Sequence, residues 1–231
     1  LAEDLKIEIP SEFTSTQAHP TLSPLRKKVA IQTMKIVDIQ AAGLNHFSWM
    51  LNLHHRESGA DLYPLFKERW LDLDPNFEPL TRQIYEIFGL FPIPGDEHLS
   101  EYLPWLSDPI TKPWEKYALS LYDWKAWKEK RLNEWSHIST ILEGKTSIDE
   151  LQNIYSEGAA EVILNIAGAG NYYLPAVNIP NQAYIPQLPE GSIVEVPGIV
   201  TGAGIQGIIV KGLPDSIAEL CRREICVTRL C

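Results

Sequence analysis

The apolar positions along this chain change period several times, and each change marks an element. Residues 43–53 hold a nearly unbroken apolar run around Phe47, Trp49 and Leu51 and predict a strand; Arg56, Glu57, Ser58 and Gly59 follow as its hairpin turn. Asp61, Leu62, Tyr63 and Pro64 open a helix to about Leu71, with the proline where a first helical turn tolerates it. Residues 79–88 read as a second helix. The longest helical pattern is 114–142, where Tyr117, Leu121, Trp124, Leu132, Trp135 and Ile138 recur at helical spacing with charges between them. Its aromatic stripe is read as core or subunit contact rather than as a ligand platform. A capping-box-like Ser147, Ile148, Asp149 and Glu150 opens a helix over 147–165.

Over 168–210 many prolines and glycines separate short β-branched runs, such as 192–196 and 205–210, which are expected to be strands of a sheet wrapping over the site. From 214 to the last residue, Ile217, Leu220, Cys221, Ile225 and Leu230 return to helical spacing. At the other end, residues 1–5 read as the end of a helix already under way and the Ser-, Thr- and Pro-rich 11–24 as a loop. There is no internal repeat. The fold class expected is α+β, with helices packed on a mixed or antiparallel sheet.

Composition narrows the function classes. With 45% hydrophobic residues and seven tryptophans, 231 residues can bury one substantial core. A net charge of −10 with scattered Lys and Arg argues against a nucleic-acid partner. No apolar run approaches the roughly 20 residues that cross a bilayer, so no membrane partner is expected. Cys221, Cys226 and Cys231 are five residues apart, which rotates successive side chains by about 500° on a helix and meets no zinc spacing. They read as small apolar residues of a reducing, cytoplasmic compartment. His54 and His55 are adjacent and point to opposite faces of a strand, a poor chelating pair.

Candidate chemistry concentrates in two segments. His46 follows Gly43, Leu44 and Asn45 inside the apolar run, where an imidazole is either a metal ligand or a hydrogen-bonded core residue. Further on, Asp96, Glu97, His98, Ser100, Glu101 and Tyr102 crowd together before Pro104 and Trp105, a density of acid, imidazole, hydroxyl and phenol more typical of a site than of a core.

These motifs, with Asn178, Ile179, Pro180 and Asn181 and the run from Leu188 and Pro189 to Val194, Glu195, Val196 and Pro197, closely resemble the family 4 glycoside hydrolases over about residues 37–229. They look more like the α-glucosidase, α-galactosidase and α-galacturonidase branch than the 6-phospho-β-glucosidase branch. The resemblance implies the C-terminal catalytic domain of a lactate/malate dehydrogenase-like glycosidase that cleaves by redox elimination, an exception to the two-carboxylate rule. On that resemblance, bound NAD would take hydride from the sugar C3, a divalent metal, usually manganese, would serve as Lewis acid at the C3 oxygen, and the acidified C2 proton would be lost before the aglycone leaves, with water addition and return of the hydride to C3 completing the cycle.

Carried over residue by residue, the resemblance makes His46 the metal ligand and Tyr102 the base for C2, with a packed aromatic as the alternative for Tyr102. His98 and Glu101 are expected to orient substrate hydroxyls, or else to cap the helix after them; Asn45 binds a sugar hydroxyl, or holds the His46 ring. Two features depart from the family. No glycine-rich turn joins a strand to a helix, since the glycines of 168–170 and 202–207 read as β-turn glycines, and no cysteine precedes Cys221. The expectation is therefore a partial chain: 1–40 as a helix and loop remnant leading to a missing NAD (Rossmann) domain, and 41–231 as a substrate and metal domain inactive alone. The small sugar substrate is an α-glycoside of a hexose or hexuronic acid, and the enzyme a homo-oligomer, dimer or tetramer. Alternatives are a non-catalytic sugar-binding or oligomerisation remnant, or a dehydrogenase-like domain acting on a 2-hydroxy acid.

Overall fold

The computed structural model describes residues 37–151 and 158–230, so the readings for 1–36, 152–157 and Cys231 lie outside the described residues. Within them the expected α+β architecture is observed. Six strands pair antiparallel throughout, in the order β3-β2-β1-β5-β4, with β6 added to the free part of β5.

The strand expected over 43–53 is instead two: β1 (Val37–Leu44) and β2 (Phe47–His55) fold back on each other across Asn45 and His46 alone. Residues 47–50 are buried on both sheet faces, so the alternation that would have marked the reversal is missing from the sequence. The 56–59 turn is found: Gly59 N donates to His55 O and His55 N to Ala60 O, both at 2.8 Å, though the returning chain pairs only through a single bridge from Asp61 to His54.

α1 (Tyr63–Leu71) and α2 (Pro79–Phe88) match expectation, each with proline in its first turn. α2 buries Leu80, Ile84 and Tyr85 on one face and stops at Gly89, whose φ of 74° suits a left-handed helix cap. After β3 (Phe91–Pro92) comes the short α3 (Asp96–Glu101).

The helix expected over 114–142 breaks. A 3-10 turn, Pro113–Tyr117, ends at Ala118 in left-handed backbone, and α4 (Trp124–Leu142) restarts where the Asp123 carboxylate accepts from Lys125 N and Ala126 N, both at 3.0 Å. Its stripe is not core of this chain, because Trp124 is 70% and Trp135 67% exposed. The 147–165 helix is also interrupted: a 3-10 turn, Ile148–Leu151, precedes α5 (Ala159–Ala167), which starts only after Gly158 at φ 84°, outside right-handed helix.

β4 (Tyr172–Pro180) and β5 (Ile193–Thr201) form a long antiparallel pair, and β6 (Gly204–Gly207) is shorter than the 205–210 expected. The prolines at 175 and 180 hid β4; it tolerates them because it lies at the sheet edge and its register shifts between Leu174 and Val177. α6 (Asp215–Thr228) matches the expected period and buries Ile217, Ala218, Leu220, Cys221 and Ile225.

Side chains of the sheet pack on both sides. Val37, Met50 and Leu53 meet Leu62 in a small cluster, while Ala42, Phe47, Trp49, Val194 and Val196 share the main core with α2, α3 and α6. Cys221 lies in that core with its thiol pushed up to about 12 by burial, as a small apolar residue should. Among the described residues no helix is long and apolar enough to cross a membrane.

Candidate functional site

The β1–β2 turn is built for close approach. A Cβ on Gly43 would strike the Phe47 carbonyl oxygen and come within 2.8 Å of Ser48 Cα, so only glycine lets the two strands close there. At the tip His46 sits at φ 56°, a left-handed conformation that costs a side-chain-bearing residue roughly 1–2 kcal/mol. Such strain tends to persist where a side chain is wanted in a particular place.

Three segments converge on that tip. From α3, the His98 ring lies over the His46 ring, with centroids 4.3 Å apart and planes at 35°, and its Nδ1 lies 3.2 Å from Glu101 Oε2. Tyr102, which closes α3, stacks on Phe47 at 4.9 Å and 10°, and its hydroxyl donates to the Asn45 carbonyl oxygen at 2.7 Å. From β4, the Asn178 amide donates to Asn45 Oδ1 at 3.2 Å. In β5, Glu195 pairs with Gly43 of β1 and with Asn178 of β4, which brings it beside His46 and Ser48.

The five residues expected from sequence, Asn45, His46, His98, Glu101 and Tyr102, therefore lie together. Sequence reading gave no role to Asn178, Ser48, Glu195 or Glu224, which complete the surroundings. Glu195 had a signal: a lone carboxylate between Val194 and Val196 in a buried strand must face away from the core. Asn181, in the same motif as Asn178, turns inward and serves the backbone: it is 1% exposed and binds Ile185, Leu188 and Pro189.

The electrostatics are acidic. Burial raises Glu195 above the ordinary carboxylate range, against the pull of the Ser48 hydroxyl and the His46 ring. Burial also raises the Tyr102 phenol, and the charges of Glu101, Glu224 and Glu195 add to the rise. Tyr102 thus holds its proton and donates it to Asn45.

As a metal centre the set is partial. His46 offers one imidazole, and among the described residues no group of three or more His, Cys, Asp or Glu side chains could hold an ion. A full shell needs donors from elsewhere.

Comparison with known proteins gives the context. Residues 41–231 match the family 4 glycosyl hydrolase C-terminal domain. An alpha-galacturonidase of Bacillus subtilis (strain 168) is 24% identical over 216 residues, covering 87% of this chain and 47% of the relative. An alpha-glucosidase of Erwinia rhapontici is 26% identical over 230 residues, covering 83% and 47%. Among solved structures, the Bacillus subtilis glucosidase lplD superposes with a TM-score of 0.69 at 23% identity, over 84% of this chain and 47% of that one. The 6-phospho-beta glucosidase of Thermotoga maritima with manganese, NAD+ and glucose-6-phosphate gives 0.61 at 19%, over 89% and 47%. At these identities the structures show a shared fold. The chain spans about half the length of the curated relatives it matches.

Proposed function

Since this chain belongs to the family 4 glycosyl hydrolases, carrying their C-terminal domain, we propose that it is the sugar-handling part of an α-glycosidase acting on hexosides or hexuronides by redox elimination. The observation that supports this most is the convergence of Asn45, His46, His98, Tyr102, Asn178 and Glu195 around one strained turn. The α-glycoside preference rests on the relatives, alpha-galacturonidases and an alpha-glucosidase among them.

NAD and a divalent metal belong to this reading through the family resemblance and the neighbour crystallised with both, and would supply the hydride acceptor and the Lewis acid. The donor set here does not form a metal shell, so no step is assigned through the ion. What this chain's residues do is bind and hold protons. Asn45 and Asn178 present amides, and His98 with Glu101 presents a paired imidazole and carboxylate, for sugar hydroxyls. Tyr102 is the base for C2 in this proposal, and the stack of its ring on Phe47 supports a fixed orientation. To act as a base it must lose the proton that burial and three carboxylates now retain, so the complete enzyme must bring positive charge to its oxygen.

The test is isotopic. Turnover by the complete enzyme in deuterated water should place deuterium at C2 of the product sugar, require NAD and leave no net NADH. The 231 residues alone should show no turnover, because their sequence carries no glycine-rich motif of the kind that takes a dinucleotide's pyrophosphate. Hydrolysis by NAD-stripped enzyme without exchange at C2 would indicate a two-carboxylate glycosidase instead. A homo-oligomeric assembly in the cytoplasm belongs to the same proposal; the exposed tryptophan face of α4 supports the self-association.

A further inference from the structure

Beneath the site, two carboxylates exchange caps between neighbouring helices. Asp96, the first residue of α3, is 6% exposed; its Oδ2 accepts from Leu80 N at 2.9 Å and its Oδ1 from Thr81 N at 2.7 Å, at the start of α2. Glu78, just before α2, reaches back so that its Oε2 accepts from Asp96 N at 2.5 Å, at the start of α3. Each acid thus satisfies amides of the other's helix, where a negative charge is also favoured.

The backbone is bent to permit this. Glu78 sits at φ 49°, ψ 58°, left-handed geometry that a glycine or asparagine would adopt at less cost. Gly95 leaves the room: a Cβ there would lie 3.2 Å from Glu78 Oε2. Among the described residues neither acid meets a cation. The charged groups acting on Glu78 are Asp96 and Glu97 of α3, while Arg82 of α2 directs its guanidinium to the carbonyls of Trp70 and Leu73. With the Asp96 carboxylate as its neighbour, Glu78 favours its protonated form.

We propose that Glu78 and Asp96 are positioning residues: their reciprocal caps, with Glu78 protonated, clamp α3 onto α2 and so hold His98, Glu101 and Tyr102 at the site, and loss of the Glu78 proton slackens the clamp. The importance of those three residues rests on the function proposed above; the clamp itself does not. Burial pushes Glu78 up to about 7 against the pull of the Asp96 amide, and the charge of Asp96, a hydrogen bond to its carboxylate and the charge of Glu97 add to the rise. A folded-state value raised above the unfolded one means that the stabilisation is complete below the unfolded value of 4.5 and disappears as pH climbs through about 7.

Amide hydrogen exchange on this chain tests the clamp without substrate, metal or NAD. Between about pH 6 and about pH 8, protection factors at Asp96, Leu99 and Tyr102 should fall roughly tenfold relative to those of Met50 and Val200 in the sheet. In Glu78→Gln the carboxamide imitates the protonated acid, accepting from Asp96 N and donating to its carboxylate, so the fall should vanish. Protection in the wild-type chain that is flat across this range overturns the proposal whether or not the variant folds, and so does an equal fall in Glu78→Gln. Normal clamp behaviour with no deuterium at C2 in the complete enzyme would instead overturn the proposed reaction and leave the clamp standing.

Discussion

Asn181→Ala should lower the free energy of unfolding by about 3 kcal/mol or more, because it strips two buried backbone groups of their partner at once. The Asn181 amide nitrogen donates to the carbonyls of Ile185 at 3.0 Å, Leu188 at 2.9 Å and Pro189 at 3.3 Å, and its oxygen accepts from Ile185 N at 3.1 Å. One side chain therefore replaces a secondary-structure ladder for the 181–189 loop, which carries Tyr184, Ile185 and Leu188 into the main core. Alanine leaves the Leu188 carbonyl and the Ile185 N–H buried without a partner, each costing about 1–3 kcal/mol, while the Ile185 and Pro189 carbonyls keep Leu188 N and Ser192 N as donors. Urea unfolding of both proteins at equal ionic strength measures the difference. A loss below about 1 kcal/mol would mean that the loop relaxes enough for water to take over the bonds.

In the complete enzyme, Tyr102→Phe should cut turnover by about 100-fold to 10,000-fold while leaving the fold intact. Phenylalanine keeps the stack on Phe47 and loses only the hydroxyl bond to the Asn45 carbonyl, worth about 0.5–1.5 kcal/mol. Deuterium entry at C2 should fall in step with turnover. Exchange at the wild-type rate would remove Tyr102 from the base role and leave it a packed aromatic. The pH dependence has a definite sign: below the raised value of the phenol, the phenolate population grows about tenfold per pH unit. In this chain alone, the Tyr102 ring signals should remain those of the neutral phenol to a higher pH than in the unfolded chain, since burial and the charges of Glu101, Glu224 and Glu195 all retain the proton.

Much of this molecule was legible along the chain because the governing physics is local. Proline in the first turn and a regular apolar face set the bounds of α1 and α2, and the period of Ile217, Leu220, Cys221 and Ile225 sets α6. The family resemblance, carried by short runs of residues, pointed to site roles for His46, His98, Glu101, Tyr102 and Asn45, and the fold brings these five residues close together.

Tertiary structure decided what depends on contacts between distant segments. A strand buried on both faces has no alternation to show where it folds back, so the turn at Asn45 and His46 appears only once Gly43 and Ser48 are seen to close on each other. Ala118 and Gly158 interrupt helical patterns through positive φ angles that the period of the neighbouring residues does not reveal. Glu195 and Asn178 join the site through strand register, and Glu78 meets Asp96 across 18 residues. Proton affinities follow the same division: a side chain's ordinary pKa is a property of its type, while the rises at Tyr102, Glu195 and Glu78 come from burial and from charges that only the folded chain brings near.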